Sequence, residues 1–330
     1  VIIYKNQNKI INIKKFIVIG SGNSGAGGVH DYLLSRNDTQ SPFNGCEFRL
    51  INDPNGLSDL HSSLYNNFSV NKSAEAMLNF KKFTERLVNS NYNKKHNLYK
   101  DKFIKISDEF LNKIKSLKYN GSPQFFFDKL SNTEKFLFYF KRLILRKKAR
   151  EINLLNMCLP VTQENFYLCA QKYLENIFSS SSSYNNEKNI VINQGGSFWN
   201  PITSTKFYGT NTIPILVTRD PKGIFWSMKR RNSLSYPGHD LKIFVNWYKQ
   251  IMKMLNKQEL KEVIHIKYEV FFDNFHNEKI KLCKSLGISE NMVDDFNLEH
   301  TRRNLFKYKK NLSTNEINYI DEHLKDYTQC

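Results

Sequence analysis

No stretch of this chain approaches the ~20 consecutive apolar residues of a membrane-spanning helix. Its opening, VIIYKNQNKIINIKKF, is too polar for a signal peptide, and it starts at Val1 rather than Met, as a fragment would. Cysteine is sparse. Cys46, Cys158, Cys169, Cys283 and Cys330 fall at no metal-binding or redox spacing, so no metal is expected. An odd, scattered set of thiols without a leader reads as a reduced, cytoplasmic protein. No internal repeat is visible. Acidic residues are in the minority, 31 Asp and Glu against 49 Lys and Arg, for a net charge of +18. The excess is concentrated in residues 81–150, which hold 19 basic and 6 acidic side chains. Such a patch is either a solvated helical face or a surface for a polyanion or a highly charged small molecule.

What is present suffices for a core. With 330 residues, 40% of them hydrophobic, the chain can form one large α/β domain with an insertion, or two domains. Residues 16–20 are β-branched and aromatic, as in a central parallel strand, and Ala26 to Ser35 then reads as a helix. CEFRLIND, from Cys46 to Asp53, reads as a second strand. Apolar residues at three- and four-residue spacing predict helices across 58–118, with Asn120-Gly121-Ser122-Pro123 as the break. Further helices are expected at Ser131–Arg150 and Gln163–Phe178, with Phe125, Phe126, Phe127, Phe136, Phe138 and Phe140 as core. A nucleic-acid stacking platform would use the same aromatics, but core is the preferred reading. The serine run from Ser179 reads as a surface connection. NIVINQGG, IPILVTRD and VIHIKYEV then each enter a turn from a short apolar run. Strands alternating with helices imply a parallel sheet with crossovers.

Two segments carry the chemistry. FIVIGSGNSGAGGV, from Phe16 to Val29, is a strand, a glycine-rich turn and a helix start. Such a turn can wrap an anion in backbone N–H groups at a helix N-terminus. IPILVTRDPKGIFWSMKRRN, from Ile213 to Asn232, ends its strand at Arg219-Asp220-Pro221 and places Ser227 eight positions after the arginine. A guanidinium at the carboxyl edge of a sheet can grip a phosphate in bidentate fashion. Taken alone, the glycine turn has other readings. Gly20, Gly22 and Gly25 also satisfy a dinucleotide-binding fingerprint, with Asp53 as the ribose contact. Gly20-x4-Gly25 starts like a phosphate loop of ATP enzymes, but the Lys-Ser/Thr pair that serves ATP and Mg²⁺ is missing.

Together the segments resemble the sulfotransferases that use 3′-phosphoadenosine 5′-phosphosulfate. In that family a basic-Ser-Gly-Thr-Thr loop binds the 5′-phosphosulfate. Here the corresponding residues are Asn23, Ser24, Gly25, Ala26 and Gly27, preceded by Gly22. The family's Arg-Asp-Pro and following Ser, which hold the 3′-phosphate, correspond to Arg219 and Ser227. Its strand ending in Tyr-Glu corresponds to Tyr268-Glu269, with Tyr268 near the adenine. Its closing basic loop resembles TRRNLFKYKKNLS, centred on Arg302 and Arg303. Some members use a His after a strand Lys as base; the comparable stretch here, Asn193-Gln194-Gly195, has neither. Carbohydrate-acting members use a Glu on the second strand, followed by an aromatic, which points to Glu47 before Phe48. His30, His61 and Asp53 are the alternatives.

The resemblance implies an α/β fold, a central parallel sheet with flanking helices of the P-loop-like sulfotransferase kind, carrying a basic helical insertion. Residues 1–57 would begin the nucleotide-binding domain, 58–178 form the insertion, and 188–330 complete the domain. It implies transfer of a sulfuryl group to an acceptor hydroxyl, of a carbohydrate such as a polysaccharide or glycolipid, with no metal and no nucleic acid. Two other readings stay open: a dinucleotide-binding oxidoreductase, and a non-catalytic protein that binds polyanions through residues 81–150.

Overall fold

The computed structural model describes residues 13–96, 102–121, 124–144, 155–181, 184–232, 235–256 and 260–328. The chain divides into two compact units, Val1–Arg49 with Ser181–Cys330, and Leu50–Ser180. The described strands, in chain order, are β1 (Lys15–Gly20), β2 (Thr39–Gln40), β3 (Lys115–Gly121), β4 (Leu155–Pro160), β5 (Asn189–Asn193), β6 (Thr212–Thr218) and β7 (Ile264–Lys267).

The first unit is built on a five-stranded sheet of order β2-β5-β1-β6-β7, in which every pairing is parallel. The α/β expectation therefore holds: a central parallel sheet flanked by helices. β1 lies in the middle, and Phe16, Ile17, Val18 and Ile19 are all fully buried. A strand covered on both faces has no polar side to show, which is why its sequence is an unbroken apolar run. Phe16 and Val18 join Val29, Tyr32, Leu33, Phe271 and Phe272 in one core cluster, so the helix after β1 is fastened to the sheet through its apolar stripe. Because all strands run the same way, their carboxyl ends share one edge. The register Gly20↔Val217 and Thr218↔Lys267 brings the turn after β1, Arg219 and Tyr268 to that edge together.

One buried charge ties the helix Ala26–Leu34 to the later part of the same unit. Arg36, 2% exposed, grips Asp38 through Nε at 2.9 Å and Nη2 at 2.8 Å. Its Nη2 also donates to Ser289 O, and its Nη1 to Cys283 Sγ.

The second unit packs the helices Val70–Asn89, Lys102–Lys113 and Gln163–Ser179 around aromatic rings. Phe110 stacks on Tyr173 at 4.5 Å, and the Tyr173 hydroxyl meets Ser107 Oγ at 2.8 Å.

Three sequence expectations fail. Lys115–Gly121 is a strand, paired antiparallel with Leu155–Pro160, where a helix was expected through residue 118. The helical spacing stops at Ile114, which is fully buried, and Leu117 and Tyr119 then alternate as in a strand, both exposed. Cys46–Asp53 is not a strand. It is a series of turns with a single parallel bridge, Glu47↔Asn193. The strand after the first helix is the two-residue β2, too short to leave a hydrophobic signature. Of the aromatic run, the part on the helix Asn132–Ile144 is not core, since that helix has no buried residue and Phe136 is 66% exposed, while Phe125 packs partly buried against Ala74 and Met157. The remainder of the helix expected through Arg150 lies outside the described residues, as do residues 182–183 of the serine run.

Removing Asp38 leaves the Arg36 guanidinium buried without its counter-ion. Asp38→Ala is therefore expected to cost about 3 kcal/mol, the low end for a broken buried pair because Asp38 keeps some contact with solvent. Urea unfolding should show the loss as a lower midpoint at unchanged slope.

Candidate functional site

The turn after β1 is shaped by two residues with positive φ, Asn23 at 64° and Gly25 at 86°. Ser24 N donates back to Ser21 O at 3.0 Å, closing the turn. Gly25 is the N-cap of the helix Ala26–Leu34, and no side chain caps it. Gly28 N donates back to Gly25 O at 2.9 Å, whereas the amides of Ala26 and Gly27 lack an intrahelical acceptor, and this end carries the positive pole of the helix dipole. Nearby, Ser24 Oγ and Asn23 Oδ1 are buried without a hydrogen-bond partner. Rotating the Asn23 amide exchanges its oxygen for its nitrogen, so this residue can present a donor. A turn with left-handed residues, an uncapped helix N-terminus and a buried hydroxyl without a partner fits an anion.

Glycine is needed in this turn because aromatic rings press on it. A Cβ at Gly25 would lie 2.3 Å from Tyr268 Cδ2, and one at Gly22 would lie 2.2 Å from Tyr236 Cζ. Neither contact leaves room for a methyl group, and at Gly25 the positive φ adds strain.

The turn after β6 works differently. Asp220 caps the helix Pro221–Arg231 with its own carboxylate, accepting from Lys222 N at 2.8 Å, and Pro221 opens the helix. That N-terminus is occupied by a negative charge, which leaves Arg219 as the positive group at the strand end. The Arg219 side chain is 7% exposed. Its Nη1 donates to Ser227 Oγ at 3.1 Å and to Asn23 O at 3.2 Å, and its Nη2 to Asn304 O at 3.2 Å. Nε sits 3.5 Å from Glu269 Oε1, near enough for an ion pair but without hydrogen-bond geometry. The guanidinium stacks over the Tyr268 ring at 4.9 Å. Gly223 gives it space, since a Cβ there would lie 2.8 Å from Arg219 Nε.

Behind Arg219 is a buried group of charges. Glu269 Oε2 accepts from Asp220 N at 3.1 Å. Tyr308 donates to Asp220 Oδ2 at 3.4 Å, and Lys222 Nζ lies 3.5 Å from the same oxygen while bonding Asp321. Burial raises the pKa of Glu269, opposed by Arg219, and burial raises that of Asp220, opposed by Lys222.

The expected residues are placed as follows. Gly22, Asn23, Ser24, Gly25, Ala26, Gly27, Arg219, Ser227 and Tyr268 lie at one sheet edge, with Arg219 contacting Asn23, Ser227 and Tyr268 directly. Tyr268 is 5% exposed, its ring held between Gly25 and Arg219. Arg302 donates to Phe272 O and Asp273 O, both at 3.0 Å, and so caps the helix Tyr268–Asp273. Arg303 is exposed, with no side-chain partner among the described residues. Glu47 is exposed beside Asn193. Its charge, after burial, is what raises the pKa of Tyr236, the ring that covers Gly22. His30 is fully buried, with Nδ1 on Asp31 and Nε2 unpartnered. His61 and Asp53 belong to the Leu50–Ser180 unit, where His61 Nε2 meets Gln163 Nε2 at 3.0 Å. Sequence reasoning missed Tyr236, Glu269 and Asn304 as neighbours of the site. Glu269 was visible beside Tyr268, whereas Asn304 contributes a backbone carbonyl and leaves no side-chain signal. Among the described residues no three His, Cys, Asp or Glu gather as a metal site.

The raised values set a pH dependence. A carboxyl raised in the folded state contributes stability that is complete below the ordinary range, about 4, and is lost as pH rises through the raised value. Glu269→Gln removes that loss. Its melting temperature relative to the parent should therefore move in the variant's favour as pH rises above about 4. A flat difference would contradict the shift.

No protein-family model matches the chain, and no curated protein does. The chain is similar in structure to several sulfotransferase domains. That of the Synechococcus PCC 7002 olefin synthase aligns over 84% of this chain and 74% of its own, at 12% identity and a TM-score of 0.36. That of the curacin biosynthetic pathway aligns over 95% and 97%, at 13% identity and 0.39. The sulfotransferase STF1 of Mycobacterium tuberculosis H37Rv aligns over 97% and 77%, at 10% identity and 0.38. Likeness this loose decides nothing about chemistry, which rests on the residues above.

Proposed function

We propose that the protein is a sulfotransferase that moves a sulfuryl group from 3′-phosphoadenosine 5′-phosphosulfate to an acceptor hydroxyl, with a carbohydrate as the acceptor class. One observation carries the reading: an uncapped helix N-terminus and a buried guanidinium adjoin at one sheet edge, linked by Arg219 Nη1 on Asn23 O. A nucleotide with phosphates at two separate positions matches such a pair. The turn Gly22–Gly27 would hold the 5′-phosphosulfate through backbone amides and Ser24. Arg219 and Ser227 would hold the 3′-phosphate, with Arg303 free to close over it. Tyr268 keeps the guanidinium in place from below.

In this reading the acceptor oxygen attacks sulfur, and the bond from sulfur to the 5′-phosphate oxygen breaks. The bisphosphate leaves, and the acceptor's proton passes to a base. Glu47 is the proposed base: it is a carboxylate, exposed to an incoming acceptor, and electrostatically linked to the ring lying on Gly22. Asn23 supplies no positive charge at the leaving oxygen. Arg219, bonded to the Asn23 carbonyl, is a cation that adjoins this turn. A dinucleotide enzyme would need Asp53 at the end of the strand after β1, but β2 ends at Gln40 and Asp53 lies in a turn.

Thermal shift separates these readings. 3′-Phosphoadenosine 5′-phosphate at a hundred times its dissociation constant should add about 2.7 kcal/mol, and AMP and NAD far less. Ser227→Ala should remove most of the preference over AMP while keeping the fold. Equal shifts from the bisphosphate and AMP would sink the 3′-phosphate site, and a larger shift from NAD would favour an oxidoreductase.

Glu47→Gln tests the base. With a radiolabelled donor and a glycan panel, transfer should fall roughly a hundredfold to ten-thousandfold with bisphosphate affinity unchanged. Transfer at the parent's rate would move the role to His30 or another group.

A further inference from the structure

The helix Asn132–Ile144 belongs to the Leu50–Ser180 unit and has no buried residue. At about 100° per residue, Phe136, Leu137, Tyr139, Phe140, Leu143 and Ile144 fall within one arc of roughly 160°. All six are exposed, Leu143 by 77%. Phe138 projects from the opposite side and packs on Phe127 at 5.3 Å, and Tyr139, at the edge of the arc, meets the same ring at 5.7 Å. The helix is thus held by its back, with its apolar arc turned outward. Lys141 borders one edge of the arc and Arg142 and Lys135 the other. Soluble proteins rarely present contiguous apolar surface of this kind unless something covers it.

We propose that this arc docks on an anionic lipid bilayer, with the helix lying in the plane of the headgroups. Charge selects the occupant. The chain carries +18, and residues 81–150 hold 19 basic against 6 acidic residues. A second copy would bring like charge against like. A nucleic acid would satisfy the cations and could stack on Phe136, Tyr139 and Phe140, but half of the arc, Leu137, Leu143 and Ile144, offers no face for bases. Hydrocarbon accepts the whole arc, while anionic headgroups meet the basic edges. Thirteen residues of helix span about 20 Å, too short to cross the bilayer core but suited to lying on it. The proposal is independent of the nucleotide reading.

The test is flotation of the full chain with phosphatidylcholine vesicles, with and without phosphatidylserine. Binding should require phosphatidylserine and weaken with salt. Lys141→Gln with Arg142→Gln should reduce partitioning roughly fivefold for each charge removed. Phe136→Asp with Leu143→Asp should reduce it more than tenfold, since each buried apolar side chain matters at least that much. Both pairs are exposed, so melting temperatures should match the parent, and Leu143→Ser with Ile144→Ser provides a milder second variant. No flotation with either vesicle would overturn the proposal. So would undiminished flotation of the apolar variants, or a concentration-dependent dimer that Leu143→Asp dissolves.

Discussion

A guanidinium withdrawn from water must find acceptors inside the protein, and Arg219 finds them on separate segments of chain. Its partners are the carbonyl of Asn23 in the glycine turn, the hydroxyl of Ser227 one helical stretch later, the carbonyl of Asn304 near the C-terminus and the carboxylate of Glu269. These segments are up to 281 positions apart in the sequence (Asn23 to Asn304), yet one buried charge sets their separations. An unsatisfied charge in that place would cost several kcal/mol, so the four contacts stand or fall together.

Much of the local sequence follows from this one placement. Gly223 exists as space for the guanidinium, and Gly25 as space for the ring on which it lies. Asp220 caps its helix and gives its backbone N–H to Glu269, which in turn faces Arg219. The two strand-to-helix turns look alike in sequence but differ in their electrostatics. The first leaves its helix N-terminus open to an anion, while the second closes its own with a carboxylate and offers a side chain instead.

How much could be read in advance depended on how local each signal was. β1, β5 and β6 are buried on both faces or nearly so, and their apolar runs were plain, whereas β7 alternates, with Ile266 buried between exposed His265 and Lys267. The spacing from Arg219 to Ser227 survives because both residues belong to one strand-turn-helix. β2 was illegible because two residues carry no period, and Cys46–Asp53 misled because an apolar stretch can pack as turns: Phe48, Leu50 and Ile51 are all buried without forming a ladder. The Phe136–Phe140 run was read as core because composition does not reveal which way a helix face points. Tyr236 over Gly22 and Asn304 on Arg219 are tertiary contacts with no sequence period at all.

In the proposed function, two adjoining sites recognise two distinct phosphates of one nucleotide. Phosphorus NMR of 3′-phosphoadenosine 5′-phosphate titrated with the protein observes each phosphate separately. Both resonances should shift and broaden on binding to the parent protein, and Ser227→Ala should abolish the change at the 3′-phosphate while sparing the 5′-phosphate. Perturbation of one resonance alone in the parent, or equal loss of both in Ser227→Ala, would contradict the account.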